Sequence, residues 1–437
     1  MTLDTLRTDP AQAAASASRR PATPRTPART PARTPSRTPA RAPARPPAAA
    51  RAVLVLLRGL TVGTLDVHTP DGLHHRFGDG APAGLPPAAI ALHDWRVCAA
   101  VLRTGDIGLA EGYLAGEWSS PSLPDLLRLL LANRDVLERA VYGRWWSALA
   151  HRAMHLLRRN TRTGSRRNIQ AHYDLGNAFY GLWLDPTMNY SSAWFQGDPQ
   201  QPLSQAQHAK VARALAQAGV GAGSRVLEIG CGWGAVAEAA VNGLGASLVG
   251  VTLSSEQLAW AKDRVPGADL RLQDYRDVAD PPFDAIVSIE MFEAVGREYW
   301  ATYFASVRRL LKPGGRACIQ SITLRDDLFK RYARSTDFIQ RYVFPGGMLP
   351  SAAVFEAEAA RAGLQVVERF AFGRDYAETL RRWSAAFEAA LPQVRAQGFD
   401  ERFVRLWRFY LAYCEAAFDA GTTDVVQFTL TPSSPCA

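Results

Sequence analysis

The chain has 437 residues, of which 47% are hydrophobic and 10% aromatic, so it is long enough to bury a core in two or three packed units. Its formal net charge of +9 is unevenly distributed, because residues 1–50 contain nine arginines, no lysine and two aspartates and therefore carry +7. The rest is nearly neutral and contains no Asp/Asn-Pro-Pro-Tyr motif. We therefore expect the folded part to have no nucleic-acid partner.

The five cysteines are widely spaced, and neither they nor the histidines have the spacing of metal ligands. We therefore expect a reducing compartment and no metal site. No apolar run approaches the roughly 20 residues needed to cross a bilayer, and no signal sequence is evident. The sequence predicts a cytoplasmic protein that is peripheral at the inner membrane surface.

Residues 1–50 contain a repeated Thr-Pro-x-Arg pattern. Prolines cannot donate backbone hydrogen bonds or continue a helix, so we expect a disordered, extended tail. The arginines that recur every four residues are Arg25, Arg29, Arg33, Arg37, Arg41 and Arg45. Such a tail either tethers the protein to anionic lipid or nucleic acid or is a solvated segment without a partner.

Residues 51–160 are predicted to form a small, lipid-associated α/β domain. Ala52 to Leu57 and Thr64 to His68 have the pattern of short strands, and Pro70 to Gly72 is a turn signal. From Leu123 to Arg159 apolar residues recur at helical spacing, which predicts one or two amphipathic helices. These helices either lie on a membrane surface or face the core.

A basic, polar run at residues 158–167 predicts a linker to a second domain, residues 165–437. In this domain short apolar runs alternate with stretches long enough for helices. The runs are Arg225 to Ile229, Ala246 to Val251, Ala268 to Leu272, Phe283 to Ile289 and Arg316 to Ile322. This alternation predicts a doubly wound, mostly parallel Rossmann-like sheet with helices on both faces. Ser351 to Asp424 is expected to be mainly helical, followed by a strand at Val425 to Leu430.

The most informative segment runs from Val226 to Gly234 and combines a buried strand with three alternating glycines. Glycines allow a ligand to approach the backbone at the carboxyl edge of a parallel sheet. Dinucleotide sites favour G-x-G-x-x-G. Gly230, Gly232 and Gly234, preceded by Glu228, instead resemble the first motif of class I methyltransferases that bind S-adenosylmethionine.

Four polar residues follow the next two strands. Thr252 stands where many nucleotide-binding folds have an acid for the ribose, and Gln257 offers an amide for that role. Asp274 and Tyr275 are placed to meet adenine, one by a hydrogen bond and the other by stacking. Each of the four is equally consistent with an ordinary structural role.

Five motifs in order resemble the family of cyclopropane-fatty-acyl-phospholipid synthases and mycolic acid cyclopropane synthases. They are Gln170 to Asn177, Asp185 to Phe195, Gly230 to Gly234, Ile289 to Gly296 and Asp337 to Gly347. The resemblance covers roughly residues 165–430. Gly105 to Tyr113 is similar to the smaller N-terminal domain of bacterial members.

This resemblance implies an enzyme that adds the S-adenosylmethionine methyl carbon to a double bond of an unsaturated phospholipid acyl chain, which forms a cyclopropane. Alternatives are a methylene- or methyl-branched product and a non-catalytic lipid-binding relative. A bicarbonate ion is the implied proton acceptor, with ligands at Ser192, Glu293, Gln320 and Tyr376. Cys and His are usual at the positions of Ser192 and Gln320, and both replacements can still donate hydrogen bonds to an anion.

The resemblance also implies the lining of the two substrate pockets. The expected cofactor positions are Tyr190, Ser191, Gly230, Gly232, Thr252, Gln257 and Tyr275. Aromatic residues expected along the acyl tunnel are Tyr332, Phe338, Tyr342 and Phe344. The oligomeric state stays open, a homodimer being one option.

Overall fold

The computed structural model describes residues 45–80, 84–141 and 175–433. Most of the predicted tail and the whole predicted linker therefore lie outside the described residues, as does the part of the predicted amphipathic helices beyond residue 141. Residues 48–50, which the sequence assigned to the tail, form the start of the first helix.

The N-terminal domain is a four-stranded sheet covered by helices. Its elements are α1 (Ala48–Leu57), β1 (Leu65–His68), β2 (His74–Phe77), β3 (Ala88–Leu92), α2 (Arg96–Thr104), α3 (Asp106–Leu114), β4 (Trp118–Ser119), α4 (Leu123–Ala132) and α5 (Arg134–Val141). The strand order is β2-β1-β3-β4. β1 and β2 pair antiparallel around the predicted turn, where Gly72 has a φ of +84°. β1 and β3 are parallel.

The strand predicted at Ala52 to Leu57 is wrong, because these residues belong to α1. A continuous apolar run has no alternation, so its period does not distinguish a strand from a helix. In the helix, Leu54 and Leu57 pack against the core while Val55 is 60% exposed. Neighbouring apolar residues of this helix therefore differ in burial, although the sequence run is uniformly apolar.

The second domain has the predicted doubly wound α/β fold. Its strands are β5 (Arg225–Ile229), β6 (Ser247–Thr252), β7 (Asp269–Leu272), β8 (Phe283–Ile289), β9 (Leu311–Leu324), β10 (Leu364–Ala371) and β11 (Thr423–Pro432). Its α-helices are α6 (Asn177–Tyr180), α7 (Leu203–Gln217), α8 (Ala235–Glu238), α9 (Ser255–Arg264), α10 (Trp300–Leu310), α11 (Asp326–Tyr332), α12 (Phe338–Tyr342), α13 (Ala352–Arg361), α14 (Gly373–Ala389), α15 (Leu391–Ala396) and α16 (Glu401–Asp419). The sheet order is β10-β11-β9-β8-β5-β6-β7.

Five strands of this sheet, β5 to β9, are parallel, and β11 and β10 are added antiparallel at one edge. The bounds of β5 and β8 coincide with the predicted runs. β10 was missed inside the segment expected to be mainly helical. It is an edge strand whose side chains alternate between more and less buried positions, and its pairing with β11 is what fixes it.

The two domains share one continuous hydrophobic core, built around α16. Trp118 of the N-terminal domain lies 6.4 Å from Phe409 of α16, measured between ring centroids, and Tyr113 lies 5.8 Å from the same ring. Leu126 of α4 belongs to the same cluster. Within the described ranges, no helix combines the length and apolar character required to traverse a bilayer.

Candidate active site

A cavity of about 160 Å³ lies at the carboxyl ends of β5, β6 and β8. Nine of the ten residues that the sequence predicted for the cofactor line it. They are Tyr190, Ser191, Glu228, Gly230, Gly232, Thr252, Gln257, Asp274 and Tyr275. The tenth, Gly234, begins α8 instead, and a Cβ there would lie 3.1 Å from the Ala261 Cβ, so it serves helix packing.

Gly230 and Gly232, the other two glycines of the loop, are favoured at their positions for different reasons. A Cβ on Gly230 would lie 2.8 Å from the Met291 Cγ, so Gly230 allows two loops to meet. Gly232 has a φ of +49°, and a Cβ there would have no heavy atom within 4 Å. The loop therefore leaves free volume beside Gly232, where the sequence predicted the methionine part of S-adenosylmethionine.

The polar residues of this cavity are tied to one another. The Thr252 hydroxyl donates to Gln257 Oε1 at 3.3 Å, which leaves the Gln257 amide nitrogen to donate elsewhere. Asp274 accepts two bonds from the Arg276 guanidinium, at 2.8 and 2.6 Å. The Asp274 carboxylate, which was predicted to contact adenine, is thus already held by a neighbouring arginine. Burial raises the pKa of Glu228, another residue of this cavity, well above its usual value.

The four predicted anion ligands lie close to an unpredicted carboxylate, that of Glu290. Its Oε1 accepts from the Ser192 backbone N–H and from the Gln320 amide, both at 2.8 Å. Its Oε2 accepts from the Tyr376 hydroxyl at 2.7 Å. Three of the predicted ligands therefore bind one side-chain carboxylate. The Ser192 hydroxyl itself donates to the Ala193 carbonyl at 2.9 Å.

Glu290 directly follows β8 and has a φ of 49°, which is unusual for a residue with a side chain. Such backbone strain is often found at functional sites. The motif Ile289 to Gly296 includes this residue, but the sequence predicted no role for it. The available signal was a second carboxylate three positions before Glu293 at the carboxyl end of a central strand.

A buried cation supports this carboxylate. Lys210 of α7 is 0% exposed, and its ammonium donates to the Ser191 hydroxyl at 2.6 Å and to Asn189 Oδ1 at 3.3 Å. Burial lowers its pKa to about 8, and the charge of Glu290 counteracts that shift. Sequence reasoning missed Lys210, because a single lysine in an amphipathic helix ordinarily faces solvent.

Glu293 lies in the 3₁₀ turn Phe292–Ala294, and its side chain accepts a hydrogen bond from the Ile322 backbone N–H. Burial, followed by the nearby charge of Glu290, raises the pKa of Glu293 to about 8. Glu293 is therefore mainly protonated at neutral pH. Burial raises the pKa of Glu290 as well, but hydrogen bonds from Tyr376, Ser192 and Gln320 and the charge of Lys210 oppose that rise.

A second, largely apolar cavity of about 870 Å³ adjoins the first. Tyr190, Glu290 and Ala294 line both cavities, so the carboxylate lies at their junction. Tyr332 and Phe344 line the larger cavity as the sequence expected. The other two predicted tunnel aromatics are engaged elsewhere. Phe338 packs on Phe409 at a centroid distance of 4.8 Å, and the Tyr342 hydroxyl donates to Glu111 at 2.6 Å.

Residues 160–428 match the family described as mycolic acid cyclopropane synthetase. The chain belongs to this family. The predicted family is therefore confirmed, and the protein is an S-adenosylmethionine-dependent methyltransferase of the cyclopropane synthase type.

Two relatives cover most of the chain. Tuberculostearic acid methyltransferase UfaA1 of Mycobacterium tuberculosis is 39% identical over 85% of this chain and 84% of its own length. The cyclopropane-fatty-acyl-phospholipid synthase of Escherichia coli is 36% identical over 77% of this chain and 86% of its own. Relatives of both kinds indicate cyclopropane formation or methyl transfer on fatty acids.

Among solved structures, mycolic acid cyclopropane synthase CmaA1 complexed with SAH and CTAB superposes with a TM-score of 0.57 at 35% identity. That match covers 61% of this chain and 97% of CmaA1. Coclaurine N-methyltransferase, at 19% identity and a TM-score of 0.57, shows the fold alone. The predicted class I methyltransferase fold of this family member is confirmed.

Proposed function

We propose that the enzyme transfers the methyl carbon of S-adenosylmethionine to the double bond of an unsaturated phospholipid acyl chain, with the Glu290 carboxylate as proton acceptor. One observation carries this proposal. Glu290 stands where the cofactor cavity and the apolar cavity meet, so it faces both the methyl donor and the hydrocarbon.

The residues divide the work as follows. S-adenosylmethionine supplies a methyl group on a positively charged sulfur. The apolar cavity holds the alkene against that methyl group and excludes water, which would otherwise capture the substrate carbocation. The alkene electron pair bonds to the methyl carbon as its bond to sulfur breaks, and the other alkene carbon becomes cationic. Glu290 then accepts a proton from the new methyl group, and the released C–H electron pair closes the ring on the cationic carbon. Tyr376, Gln320 and the Ser192 N–H fix the carboxylate in place for this step.

In this proposal no bicarbonate ion is required. The Gln320 amide, the Tyr376 hydroxyl and the Ser192 backbone N–H are directed at the Glu290 carboxylate, which has the same charge as bicarbonate when ionised and a similar pair of oxygens. Two carboxylates close together seldom both ionise, because their charges repel. The pKa of both groups is raised by burial, but three hydrogen-bond donors favour the ionised form at Glu290, so we assign Glu293 as the protonated partner and Glu290 as the base.

Two matched substitutions test the assignment. Glu290→Gln removes the base and should lower turnover by about a hundredfold or more while S-adenosylmethionine still binds. Glu293→Gln preserves the neutral form of Glu293 and should keep turnover within about threefold of wild type. Turnover on monounsaturated phospholipid and calorimetric cofactor affinity are measured for both. Activity retained in Glu290→Gln but lost in Glu293→Gln would return the role to Glu293.

The product predicted from the sequence is the cyclopropane, which forms when the base removes a proton from the new methyl group at once. A branched chain forms when a hydride shifts first from the carbon that received the methyl. Two observations favour the branched chain as a second candidate. One relative is named as a tuberculostearic acid methyltransferase, that is, for methyl transfer and not for ring formation. In addition, each Glu290 oxygen already accepts hydrogen bonds, which weakens it as a base and gives the shift more time.

Proton NMR of lipid from an expressing host separates the two products. Ring protons resonate at unusually high field, whereas a methylene branch gives vinyl signals. High-field signals alone establish the ring, and vinyl signals alone establish the branch. A host whose lipid shows neither signal and no added methyl carbon by mass, although the purified protein binds S-adenosylmethionine, would contradict the acyl-alkene substrate.

A further inference from the structure

The apolar cavity extends far beyond the reacting centre, into the N-terminal domain. Its walls include Tyr376, which donates to Glu290, but they also include residues of α1, α2, α4, β1 and β3. Representative N-terminal lining residues are Leu54, Val67, Ile90, Val97, Val101 and Leu130. One continuous space thus joins the catalytic carboxylate to the interior of the other domain.

The position of this space explains its apolar character. Residues at alternate positions of β1 and β3 point to one face of the small sheet, as the alternating burial of both strands shows. Helices α1, α2 and α4 cover that face. Val67 is 1% and Val97 is 2% exposed to solvent, although both border the cavity. The cavity therefore lies between sheet and helices, where a small domain normally has a filled core.

The matched family region begins at residue 160, and CmaA1 aligns over 97% of its length with only 61% of this chain. The N-terminal domain is thus an addition to a unit that is complete in such relatives. The described residues of this added domain contribute walls to the larger cavity and none to the cofactor cavity, so we assign the domain a role toward the lipid and not toward the methyl donor.

We propose that the N-terminal domain forms the outer half of the acyl site and holds the hydrocarbon on one side of the reacting double bond. This inference rests on the proposed function. At about 870 Å³, the cavity lies in the upper part of the usual range for ligand sites, roughly 300–1,000 Å³. Exposed Lys330, Arg331 and Arg334 line the same cavity at the protein surface, where an anionic headgroup can remain in water. The occupant is therefore an anionic lipid, and the N-terminal domain selects its chain length.

The test narrows the outer half and leaves the catalytic residues unchanged. Val101→Trp and Leu54→Trp place an indole in the cavity from α2 and α1. Val55→Trp is the matched control, because Val55 neighbours Leu54 on α1, is 60% exposed and does not line the cavity. Val101→Ala enlarges the same place and keeps the test usable if the larger side chain prevents folding.

Two measurements are made on the full chain. Fluorescence titration with cis-parinaric acid, competed by monounsaturated fatty acids of increasing length, reports binding without turnover. Turnover is measured on phosphatidylglycerol vesicles whose chains lengthen on either the carboxyl or the methyl side of the double bond. Wild-type affinity should rise roughly fourfold per added methylene until the cavity is full, because each buried methylene contributes about 0.8 kcal/mol.

We expect Val101→Trp and Leu54→Trp to reach that limit at a shorter chain, Val101→Ala at a longer one, and Val55→Trp at the wild-type length. One of the two vesicle series should show the same shift in turnover. Length profiles that are identical in all variants would overturn the inference, even if turnover is normal. Wild-type protein that binds with the expected length dependence but makes no methylated lipid would instead refute the proposed function.

Discussion

At the scale of single residues, the proposed chemistry depends on two carboxyl groups that share one loop but have different surroundings. Burial raises the pKa of Glu290, but three hydrogen-bond donors and the nearby Lys210 oppose that rise. Glu293 has mainly backbone donors and the repulsion of Glu290, so its pKa rises to about 8. Environment, and not residue type, decides which of the two is the base.

The raised pKa of Glu293 predicts a specific pH dependence of stability. Between the usual glutamate value and about 8, the folded state binds a proton at this site that the unfolded state releases. Stability should therefore fall as pH rises through this window and then level off above it. Glu293→Gln removes the contribution, so its free energy of unfolding should fall less steeply than that of wild type.

Urea unfolding at several pH values between 5 and about 8 measures the two slopes. Glu256→Gln, at an exposed position of α9, is the control and should reproduce the wild-type slope. A Glu293→Gln slope equal to that of wild type would mean that Glu293 is ionised in the folded protein at neutral pH. The division of roles between the carboxyl groups would then fail.

At the scale of elements, a substitution in the loop after β5 can distinguish the effect of backbone strain from the loss of space for the ligand. Gly232 and Gly314 both have positive φ, and a Cβ on either would meet no heavy atom within 4 Å. Substitution by valine should therefore strain both positions similarly. Only Gly232→Val should also lose S-adenosylmethionine affinity, by about tenfold or more, because only Gly232 lines the cofactor cavity.

Calorimetry on both variants measures this difference, with thermal unfolding as a check that each is folded. Equal affinity in the two variants would show that the cofactor does not approach the backbone at Gly232. Loss in both would indicate a general effect of strain.

Packing of α4 on α16 depends on a partly buried ion network between the domains. The Arg128 guanidinium contacts Asp125 on its own helix and Asp419 and Glu415 on α16. The Glu415 side chain is 6% exposed, and burial raises its pKa to about 7 despite Arg381 and Arg128. Removal of Arg128 leaves that carboxylate poorly compensated.

Arg128→Met should therefore destabilise the protein by roughly 1–3 kcal/mol in urea unfolding. Arg325→Met is the control, because the ion pair of Arg325 with Asp327 is exposed on both sides and should change stability by less than about 0.5 kcal/mol. Similar effects of both substitutions would show that the network does not hold the domains together.

At the scale of the whole molecule, the arginine-rich N-terminal segment bears on how the enzyme meets its substrate. Residues 1–44 carry eight arginines and two aspartates, which favours contact with anionic lipid. Their deletion should leave turnover on detergent-dispersed lipid unchanged and weaken binding to anionic vesicles, most strongly at low salt. The deletion must stop before Ala48, because α1 lines the acyl cavity.

Vesicle sedimentation at several salt concentrations checks this prediction. Equal, salt-independent binding by full-length and truncated protein would leave the segment without a role at the membrane. Loss of turnover on dispersed lipid would show that it contributes to the catalytic unit.

Much of the second domain could be read directly from the sequence. Buried parallel strands are short apolar runs, and the glycine loop is a contiguous motif, so β5, β8 and the cofactor residues follow from neighbours along the chain. The same local reasoning failed where the pattern was ambiguous. The apolar run of α1 looked like a strand, and the edge strand β10 looked helical, because tertiary packing and not local period fixes them.

The sequence by itself determined the family, the fold and the glycine loop predicted to approach the cofactor, since each is encoded by residues adjacent in the chain. Only the tertiary structure placed the Glu290 carboxylate among Ser192, Gln320 and Tyr376, which come from distant segments. It alone also showed that the cavity beside Glu290 continues into the N-terminal domain. Hydrogen-bond direction and enclosed volume depend on distances between segments far apart in sequence, and these distances exist only once the chain has folded.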